Sequence, residues 1–195
     1  MADQKISAMP SAATLTGAEL VPLVQSGGNV KATLSTMTAF TRGNAGAYSS
    51  GVTQTGSITT GTAFTFNTTD YAGGVTLASS SRLTVPVAGT YNLQFSVQIQ
   101  STDVAPQDIY IWLRINGTDV TGSAGKVGVP ARKNPSDPFH SIVGWNYYLT
   151  FTAGQYVEIV WLPTATTITV PYYAAQTVPA IPSTQSVVVT LQQVA

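Results

Sequence analysis

The chain has 195 residues, and only 8% of them are charged, with eight basic and eight acidic side chains that leave no net charge. Such a chain produces no long-range field, so we expect neither nucleic acid nor a membrane as a partner. Cysteine is absent, which excludes disulfides and thiolate metal sites. We also expect neither a membrane anchor nor conventional export, because no apolar run approaches the roughly 20 residues that cross a bilayer and no secretion signal opens the chain.

The sequence of the first 52 residues predicts an N-terminal arm that precedes the β domain. GAELVPLVQSGGNVKATLS, residues 17–35, predicts a small hairpin that turns at residues 26–29. STMTAF then predicts a single helical turn capped by Ser35. Because an isolated hairpin is marginally stable in water, this arm needs a surface to rest on.

A linker is predicted next, because RGNAGAYSSG, residues 42–51, has the small-residue composition of a flexible connection. The chain is therefore predicted to have three parts. They are an attachment arm at 1–45, a linker at 46–60 and a β domain at 61–195.

Strand patterns dominate from about residue 53 onward. TYNLQFSVQIQ alternates between an apolar face and a face of amides and serine. DIYIWLRINGTDV alternates as well, but Tyr110 and Trp112 lie opposite its aliphatic face, and Asn116-Gly117 predicts a tight turn. Further strands are predicted at 63–67, 74–85, 166–172 and 186–194. Short strands with regular turns predict an all-β sandwich or barrel.

The segment WNYYLTFTAGQYVEIVWLP, residues 145–163, contains two strands with apolar side chains on both faces. In the first, Trp145, Tyr147, Leu149 and Phe151 share one face, and Tyr148 lies on the other. In the second, the side chains opposite the core positions Val157, Ile159 and Trp161 are Tyr156, Glu158, Val160 and Leu162. Both faces of this second strand therefore require burial.

Several segments in the same order resemble the C1q/TNF-like jelly-roll domains that are common in bacteriophage structural proteins. They are RLTVPVAGTYNLQFSVQ, IWLRINGTDVTGSAGKV, VGWNYYLTFTAGQYVEIVW and PAIPSTQSVVVTLQQV. The family shows "P-x-A-G-x-Y", "W-L-R-x-N-G" and "A-G-x-Y-V-E" in this order. The resemblance covers most of residues 61–195 and implies a jelly-roll sandwich.

The opening ISAMPSAATLTGAELVPLVQSGGNVKATLS is similar to N-terminal segments of phage tail-fibre and related appendage proteins. Those segments commonly read "I-S-x-L-P-x-A-x-x-L-T-G-x-E-L-V-P-V-V-Q-x-G". This sequence departs from the pattern at Met9 and Leu23, and both replacements conserve volume. The two resemblances together imply a virion protein with an extended N-terminal arm.

C1q/TNF-like domains form homotrimers, so the resemblance implies that the second apolar faces meet neighbouring subunits. The residues predicted for this trimer interface are Tyr110, Trp112, Tyr148, Tyr156, Val160 and Leu162. The sequence leaves open which of these six belong to the interface and which to the core. The residues predicted for virion attachment are the apolar ones of the hairpin region, namely Leu20, Val21, Leu23, Val24, Val30 and Leu34.

Catalytic groups are sparse, and we expect no enzyme, no cofactor and no metal. His140 is the only histidine, and three neighbouring loop positions with Ser136 and Asp137 seldom form a catalytic triad. Candidate carboxylates for sugar cleavage are Asp103, Asp108, Asp119 and Glu158. Turn formation is the commoner role for the first two. No sequence matches a calcium-binding loop.

Two features suggest recognition. Lys126, Arg132 and Lys133 form a basic loop that contacts an acidic partner or a glycan, or else is a solvated face. Tyr172 and Tyr173 form a sugar-stacking platform, or else pack at a strand end.

For Glu158, which lies on an otherwise apolar strand face, the alternatives are pairing with Arg114 or another basic group, or solvent exposure at a rim.

The main hypothesis is a homotrimeric phage virion structural protein, as a capsid decoration, head fibre or short tail appendage. Its arm contacts other virion proteins of the capsid, neck or tail. The alternative is the tip of a receptor-binding tail fibre or tailspike that recognises a host surface glycan through Lys126, Arg132, Lys133, Tyr172 and Tyr173. A depolymerising enzyme is a third hypothesis, and it lacks a persuasive acid pair.

Overall fold

The computed structural model describes residues 14–34, 37 and 43–195. The chain divides into two compact units, Met1–Gly43 and Asn44–Ala195. Within the described ranges, no helix is long and apolar enough to span a bilayer.

The first unit contains a β-hairpin made of β1 (Leu20–Gln25) and β2 (Gly28–Thr33). The strands pair antiparallel, and Gln25 lies opposite Gly28 across a two-residue turn. Ser26 and Gly27 in this turn have positive φ angles of 53° and 78°, the backbone that tight hairpin turns need. The predicted hairpin is confirmed, with a shorter turn than predicted. The predicted helical turn STMTAF lies mostly outside the described residues.

The second unit is built from β-strands of two to 13 residues. In chain order they are β3 (Ala45–Ser50), β4 (Gln54–Thr55), β5 (Thr62–Ala63), β6 (Thr68–Gly73), β7 (Thr76–Ala78), β8 (Arg82–Thr84), β9 (Gly89–Ser101), β10 (Gln107–Ile115), β11 (Thr118–Asp119), β12 (Gly125–Val129), β13 (Phe139–Phe151), β14 (Tyr156–Pro163), β15 (Ile168–Val170), β16 (Gln176–Thr177), β17 (Ala180–Ile181) and β18 (Val187–Gln193).

These strands form two seven-stranded sheets and a small β16–β17 ribbon. In sheet I, β13 pairs with one edge of β9, and the other edge of β9 pairs with β18 at residues 91–97 and with β15 at residues 100–101. β4 continues the sheet beyond β15, and β3 and β6 continue it beyond β18. Sheet II has the order β11, β10, β14, β8 and β7, with β12 beside β10 and β5 beside β14. In sheet I, β18 lies between β9 and β3, so it joins the two halves of that sheet.

The core lies between the two sheets, which confirms the predicted all-β sandwich. Each sheet buries alternate apolar residues against the other, as the period of two requires. The predicted inward residues of β9 and β14 are all buried, namely Tyr91, Leu93, Phe95, Val97, Ile99, Val157, Ile159 and Trp161. Phe64, which precedes β6, stacks on Trp161 with ring centroids 5.3 Å apart.

The predicted linker at 46–60 is wrong, because this range contains most of β3 and all of β4. Tyr48 is only 2% exposed, and its hydroxyl donates to the Val75 carbonyl at 2.7 Å. β3 pairs with β18 on one side and β6 on the other. The β unit therefore begins at Asn44 and not at residue 61.

Three predicted strands differ in extent from those observed. The range 74–85 is a hairpin of β7 and β8, because Ser79 and Ser80 adopt positive φ angles of 50° and 60° and reverse the chain. The range 63–67 is mostly irregular, and within it Phe64 and Phe66 insert into the core. The range 166–172 is reduced to β15. The strand predicted at 186–194 is confirmed as β18.

We predict that a chain beginning at Asn44 keeps the cooperative thermal unfolding of the β unit, whereas a chain beginning at Gly51 loses it. The shorter chain lacks β3, which removes the buried Tyr48 side chain and exposes one edge of β18. Loss of a buried aromatic side chain alone costs about 3 to 5 kcal/mol. Circular dichroism melts of both chains, with the full-length protein as control, measure this. Equal melting temperatures for the two truncated chains would show that β3 is dispensable.

Candidate functional site

The six residues predicted for a trimer interface lie on two different sheets. Tyr148 belongs to β13 in sheet I and is 66% exposed. The other five lie on β10 and β14 in sheet II, where Tyr110 is opposite Leu162 and Trp112 is opposite Val160. The six residues therefore do not form one continuous surface.

Val160 is unavailable to a neighbouring subunit, so this part of the interface prediction is wrong. Val160 is 0% exposed, and β5 pairs antiparallel with β14 beside it, with Ala63 opposite Val160. A Cβ on Gly61 would lie 2.8 Å from Val160 and 2.4 Å from Trp112, so the chain covers both side chains closely. Tyr156 is covered differently, by the guanidinium of Arg82, 4.6 Å from its ring centre.

Glu158 is buried on the outer side of sheet II and is paired. Its Oε1 accepts a hydrogen bond from the Ser81 hydroxyl at 2.6 Å and lies 3.6 Å from Nε of Arg82. Of the alternatives for Glu158, the structure therefore shows pairing with a basic group other than Arg114. Arg114 instead binds Asp119 at 2.7 Å.

Three half-buried apolar side chains of sheet II line a groove of about 430 Å³, which we call the aromatic groove. Tyr110, Trp112 and Leu162 supply apolar surface from the sheet. The turn that follows β11 supplies the other side, through Asp119 to Gly122 and Ala124. Gly122 has a φ of 80°, and a Cβ there would meet nothing within 4 Å, so the groove is open on this side.

Both ends of the aromatic groove carry ion pairs. At one end, the hydrogen bond from Arg114 lowers the pKa of Asp119. At the other end, Lys126 lies 2.9 Å from Asp108, and this hydrogen bond raises the pKa of Lys126. Nζ of Lys126 also lies 5.7 Å from the ring centre of Tyr110. Each carboxylate is thus matched by a cation, and the groove carries no net charge.

The outer face of sheet I has a different chemistry. The adjacent strands β13, β9 and β18 contain no Lys, Arg, Asp or Glu. Their outward side chains are amides, hydroxyls and apolar groups, which we call the uncharged face. They are His140, Ile142, Gly144, Asn146, Tyr148 and Thr150 on β13, Asn92, Gln94, Ser96, Gln98 and Gln100 on β9, and Val188, Thr190 and Gln192 on β18.

The uncharged face is not flat, because it has protruding side chains at one place and a depression at another. Ile142 and Tyr148 project from β13 with exposures of 64% and 66%. A depression of about 250 Å³ opens between β9 and β18, bordered on the outer face by Gln94, Ser96, Val188 and Thr190. The face therefore carries both protruding side chains and a concavity.

β13 also presents a free edge. It pairs with β9 over all 13 of its residues, and no other strand in the described part of the chain pairs with it. Long uncharged edges of this kind readily pair with further strands, and natural proteins usually cover or charge them. The edge of β13 has no charged residue to prevent such pairing.

The six residues predicted for virion attachment lie in or next to the hairpin and divide between its two faces. Val21, Leu23 and Val30 share one face, since Leu23 lies opposite Val30. Leu20 and Val24 share the other face and are 56% and 70% exposed. Leu34 follows β2, and its amide donates to the Glu19 carbonyl at 2.8 Å. Both faces of the hairpin thus carry apolar side chains.

Glu19 fixes the entry to this hairpin and was not predicted from the sequence. Its carboxylate accepts hydrogen bonds from the Thr16 amide at 2.7 Å, the Thr16 hydroxyl at 2.8 Å and the Gly17 amide at 2.7 Å. The hydrogen bond from the Thr16 amide contributes most to lowering the pKa of Glu19 to about 2. A Thr three residues before a Glu is the sequence signal that would have suggested this turn.

The residues predicted for a receptor loop are not brought together. Lys126 lies on β12 in sheet II, whereas Lys133 pairs with Asp137 at 3.8 Å in the loop before β13. The Arg132 amide donates to the Asp103 carbonyl at 2.8 Å. Tyr172 and Tyr173 are half-buried. The Tyr173 hydroxyl lies 3.1 Å from Nδ1 of His140, so it packs against sheet I.

The candidate catalytic carboxylates are engaged separately. Asp103 accepts hydrogen bonds from the Ala105 amide and the Thr167 hydroxyl, and the first of these contributes most to lowering its pKa. His140 contacts Tyr173. Among residues 14–34, 37 and 43–195, no group of three or more His, Asp or Glu side chains is arranged to hold a metal ion.

Comparisons with known proteins show a structural likeness. No protein-family model matches the sequence. No curated protein matches it. Among solved structures, the chain is similar to the globular domain of zebrafish complement 1qA protein, at 15% sequence identity. The alignment covers 78% of this chain and 98% of that domain, with a TM-score of 0.45.

We predict that the Glu19 carboxyl titrates at a pH of about 2 in a nuclear magnetic resonance experiment on the full chain. A carboxyl whose pKa is lowered by folding stabilises the turn above its unfolded pKa, and this stabilisation is lost as the pH falls through the folded value. Thr16→Val should shift the midpoint upward, because it removes the hydroxyl donor. Thr14→Val is the matched control and should leave it unchanged. A midpoint near 4.5 in the unmodified chain would contradict the hydrogen-bonded turn.

Proposed function

We propose that this chain is a homotrimeric structural protein of a bacteriophage virion, without catalytic activity. The C1q/TNF-like jelly-roll trimer projects from the surface as a capsid decoration, head fibre or short tail appendage, and the N-terminal hairpin attaches it. The observation that carries the assembly is the uncharged face of sheet I. The phage setting is supported by the sequence resemblance of the opening segment and of the motifs in the β domain.

The distribution of charge favours assembly through sheet I and not through sheet II. The centres of protein interfaces are depleted of charged residues, because burying an unmatched charge is costly. Strands β13, β9 and β18 have none, whereas the outer side of sheet II carries the pairs Arg82–Glu158, Arg114–Asp119 and Lys126–Asp108. Within the predicted interface, we therefore retain Tyr148 and assign Tyr110, Trp112, Tyr156 and Leu162 to a surface that faces solvent in the trimer.

The relief of the uncharged face supports a cyclic arrangement. Protruding Ile142 and Tyr148 lie on β13, and the depression lies across β9 and β18. When a protrusion and its complementary concavity occupy different places, one copy inserts into the next, and such a head-to-tail contact forms a ring where the rotation between copies closes. The same contact covers the free edge of β13, which is a hazard in a monomer.

Attachment through the hairpin follows from its two apolar faces. A two-stranded hairpin buries little surface, so exposed Leu20 and Val24 gain from contact with another virion protein. Three hairpins on one trimer engage together, and the linked sites raise the effective concentration without any stronger single contact.

For assembly, we predict that the full chain has the solution mass of a trimer by light scattering, and that Tyr148→Lys or Ile142→Lys reduces it to that of a monomer. A lysine buried at this face would lack a partner, since its surroundings there carry no acidic side chain on β13, β9 or β18. Val104→Lys is the control, because Val104 is 75% exposed and lies in the loop before β10. A monomeric parent chain, or a trimer that tolerates both lysines, would refute assembly through sheet I.

For attachment, we predict that Val24→Asp lowers incorporation of the protein into virions by at least about tenfold while leaving its solution mass unchanged. The change removes exposed apolar surface and places a charge at the contact, which together cost more than the roughly 1.4 kcal/mol of a tenfold effect. Gln25→Glu adds a charge at the next position without removing apolar surface. Incorporation is measured by quantitative mass spectrometry of purified particles. Equal incorporation of Val24→Asp and the parent chain would show that the hairpin does not attach it.

A further inference from the structure

The aromatic groove is unused by the proposed assembly, and its lining points to a ligand. Tyr110, Trp112 and Leu162 give it an apolar surface, and Asp119 and Thr121 add polar groups at its border. Its volume of about 430 Å³ lies within the range of roughly 300 to 1,000 Å³ typical of small-molecule sites.

The Trp112 ring is held in a fixed position. Val160 lies opposite Trp112 across the β10–β14 pair, and the backbone at Gly61 passes so close that a Cβ would lie 2.4 Å from the indole ring. A ring held in this way loses little conformational entropy when it binds a ligand, so it is a preorganised platform.

The charges of the groove select against charged ligands. Asp119 is matched by Arg114 at 2.7 Å, and Asp108, beyond the other end, is matched by Lys126 at 2.9 Å. No unmatched cation at these two ends would bind an anion, and no unmatched carboxylate would bind a cation. The paired groups nevertheless offer acceptors and donors to hydroxyl groups.

The position of the groove also selects against other uncharged polymers. It lies on the face of sheet II, where β10 already pairs with β14 on one side and with β11 and β12 on the other. An extended peptide would find no free strand edge for main-chain pairing. A purely apolar chain would offer no hydrogen bond to the Thr121 hydroxyl or to Asp119 at the border of the groove.

We propose that the aromatic groove binds an uncharged saccharide. The apolar face of one sugar ring packs on Trp112 and Tyr110, while its hydroxyl groups hydrogen-bond to Asp119 and Thr121. This site differs from the residues predicted for a receptor loop, which the fold separates. It does not depend on the trimer or on the virion role, because every residue that forms it belongs to one chain.

Titration of the full chain with cellotriose, maltotriose and N,N′,N″-triacetylchitotriose tests the proposal, using tryptophan fluorescence and calorimetry. The chain has three tryptophans. Trp161 is fully buried, and Trp145 packs against Phe95 and donates to the Tyr147 hydroxyl, so a change in fluorescence reports on Trp112. We expect saturable binding of at least one trisaccharide, with a Kd of about 0.1 to 1 mM. Trp112→Ala should weaken it at least about tenfold, and Trp112→Phe should weaken it less while abolishing the fluorescence change.

Thr121→Arg provides an independent variant, because Thr121 is exposed and lines the groove without contributing to the core. It should block binding and leave the melting temperature and the solution mass unchanged. Thr152→Arg, at an exposed threonine in the turn between β13 and β14, is the matched control and should bind as the parent does.

Four outcomes would overturn the proposal. They are the absence of saturable binding by any of the three trisaccharides up to about 20 mM, full binding by Thr121→Arg, tighter binding of the charged sialyllactose, and a fall in solution mass in Thr121→Arg. The last result would mean that a second copy of the chain covers the groove. The result of the Tyr148→Lys assembly test does not affect any of these four outcomes. Assembly through sheet I and saccharide binding in the aromatic groove can therefore be refuted independently.

Discussion

Burial of one face of each sheet against the other is the constraint on which the rest of the molecule depends. With no disulfide and few charges, the sandwich is held by alternate apolar side chains from β9, β10, β14 and β18, and the Phe64–Trp161 stack lies among them. At roughly 25 cal/mol for each Å² of apolar surface removed from water, these side chains dominate the stability of the unit. The inner faces are therefore committed to folding, and only the outer faces are free to bind partners.

The outer faces of the two sheets differ in their content of charged side chains. Sheet II carries three ion pairs and an aromatic groove, and a surface of this kind is stable in water. Sheet I presents three adjacent uncharged strands, and one of them has a free edge. A molecule divided in this way is suited to meet copies of itself on one side and a soluble or surface ligand on the other.

The long strands could be predicted from the sequence because their period of two is local and uninterrupted. β9, β10, β14 and β18 were identified for this reason, and Asn116-Gly117 gave the turn after β10, with φ angles of 48° and 82°. β3 was mistaken for a linker because AGAYSS is made mostly of small residues. Its burial arises from β18, about 140 positions away along the chain, and local composition cannot report a distant neighbour.

The candidate surfaces were less predictable for the same reason. Alternation placed Val160 on the outer side of β14 correctly, but only the structure shows that β5 covers it. Tyr110, Trp112 and Leu162 were identified as unusual outward groups, yet nothing in the sequence separated them from Tyr148 on the other sheet. The absence of charge from β13, β9 and β18 was visible in the sequence. It became informative only once the three strands were known to be neighbours.

The central position of β18 has a consequence for synthesis. β9 pairs with β18 on one side, and β3 pairs with it on the other, so sheet I remains in two separate halves until residues 187–193 have left the ribosome. A nascent chain that has already made β3, β9 and β13 therefore holds unpaired uncharged edges while it waits for one strand. Sheet I is therefore completed only when β18 becomes available, and slow translation between β13 and β18 would prolong the interval in which neighbouring nascent chains can pair with each other.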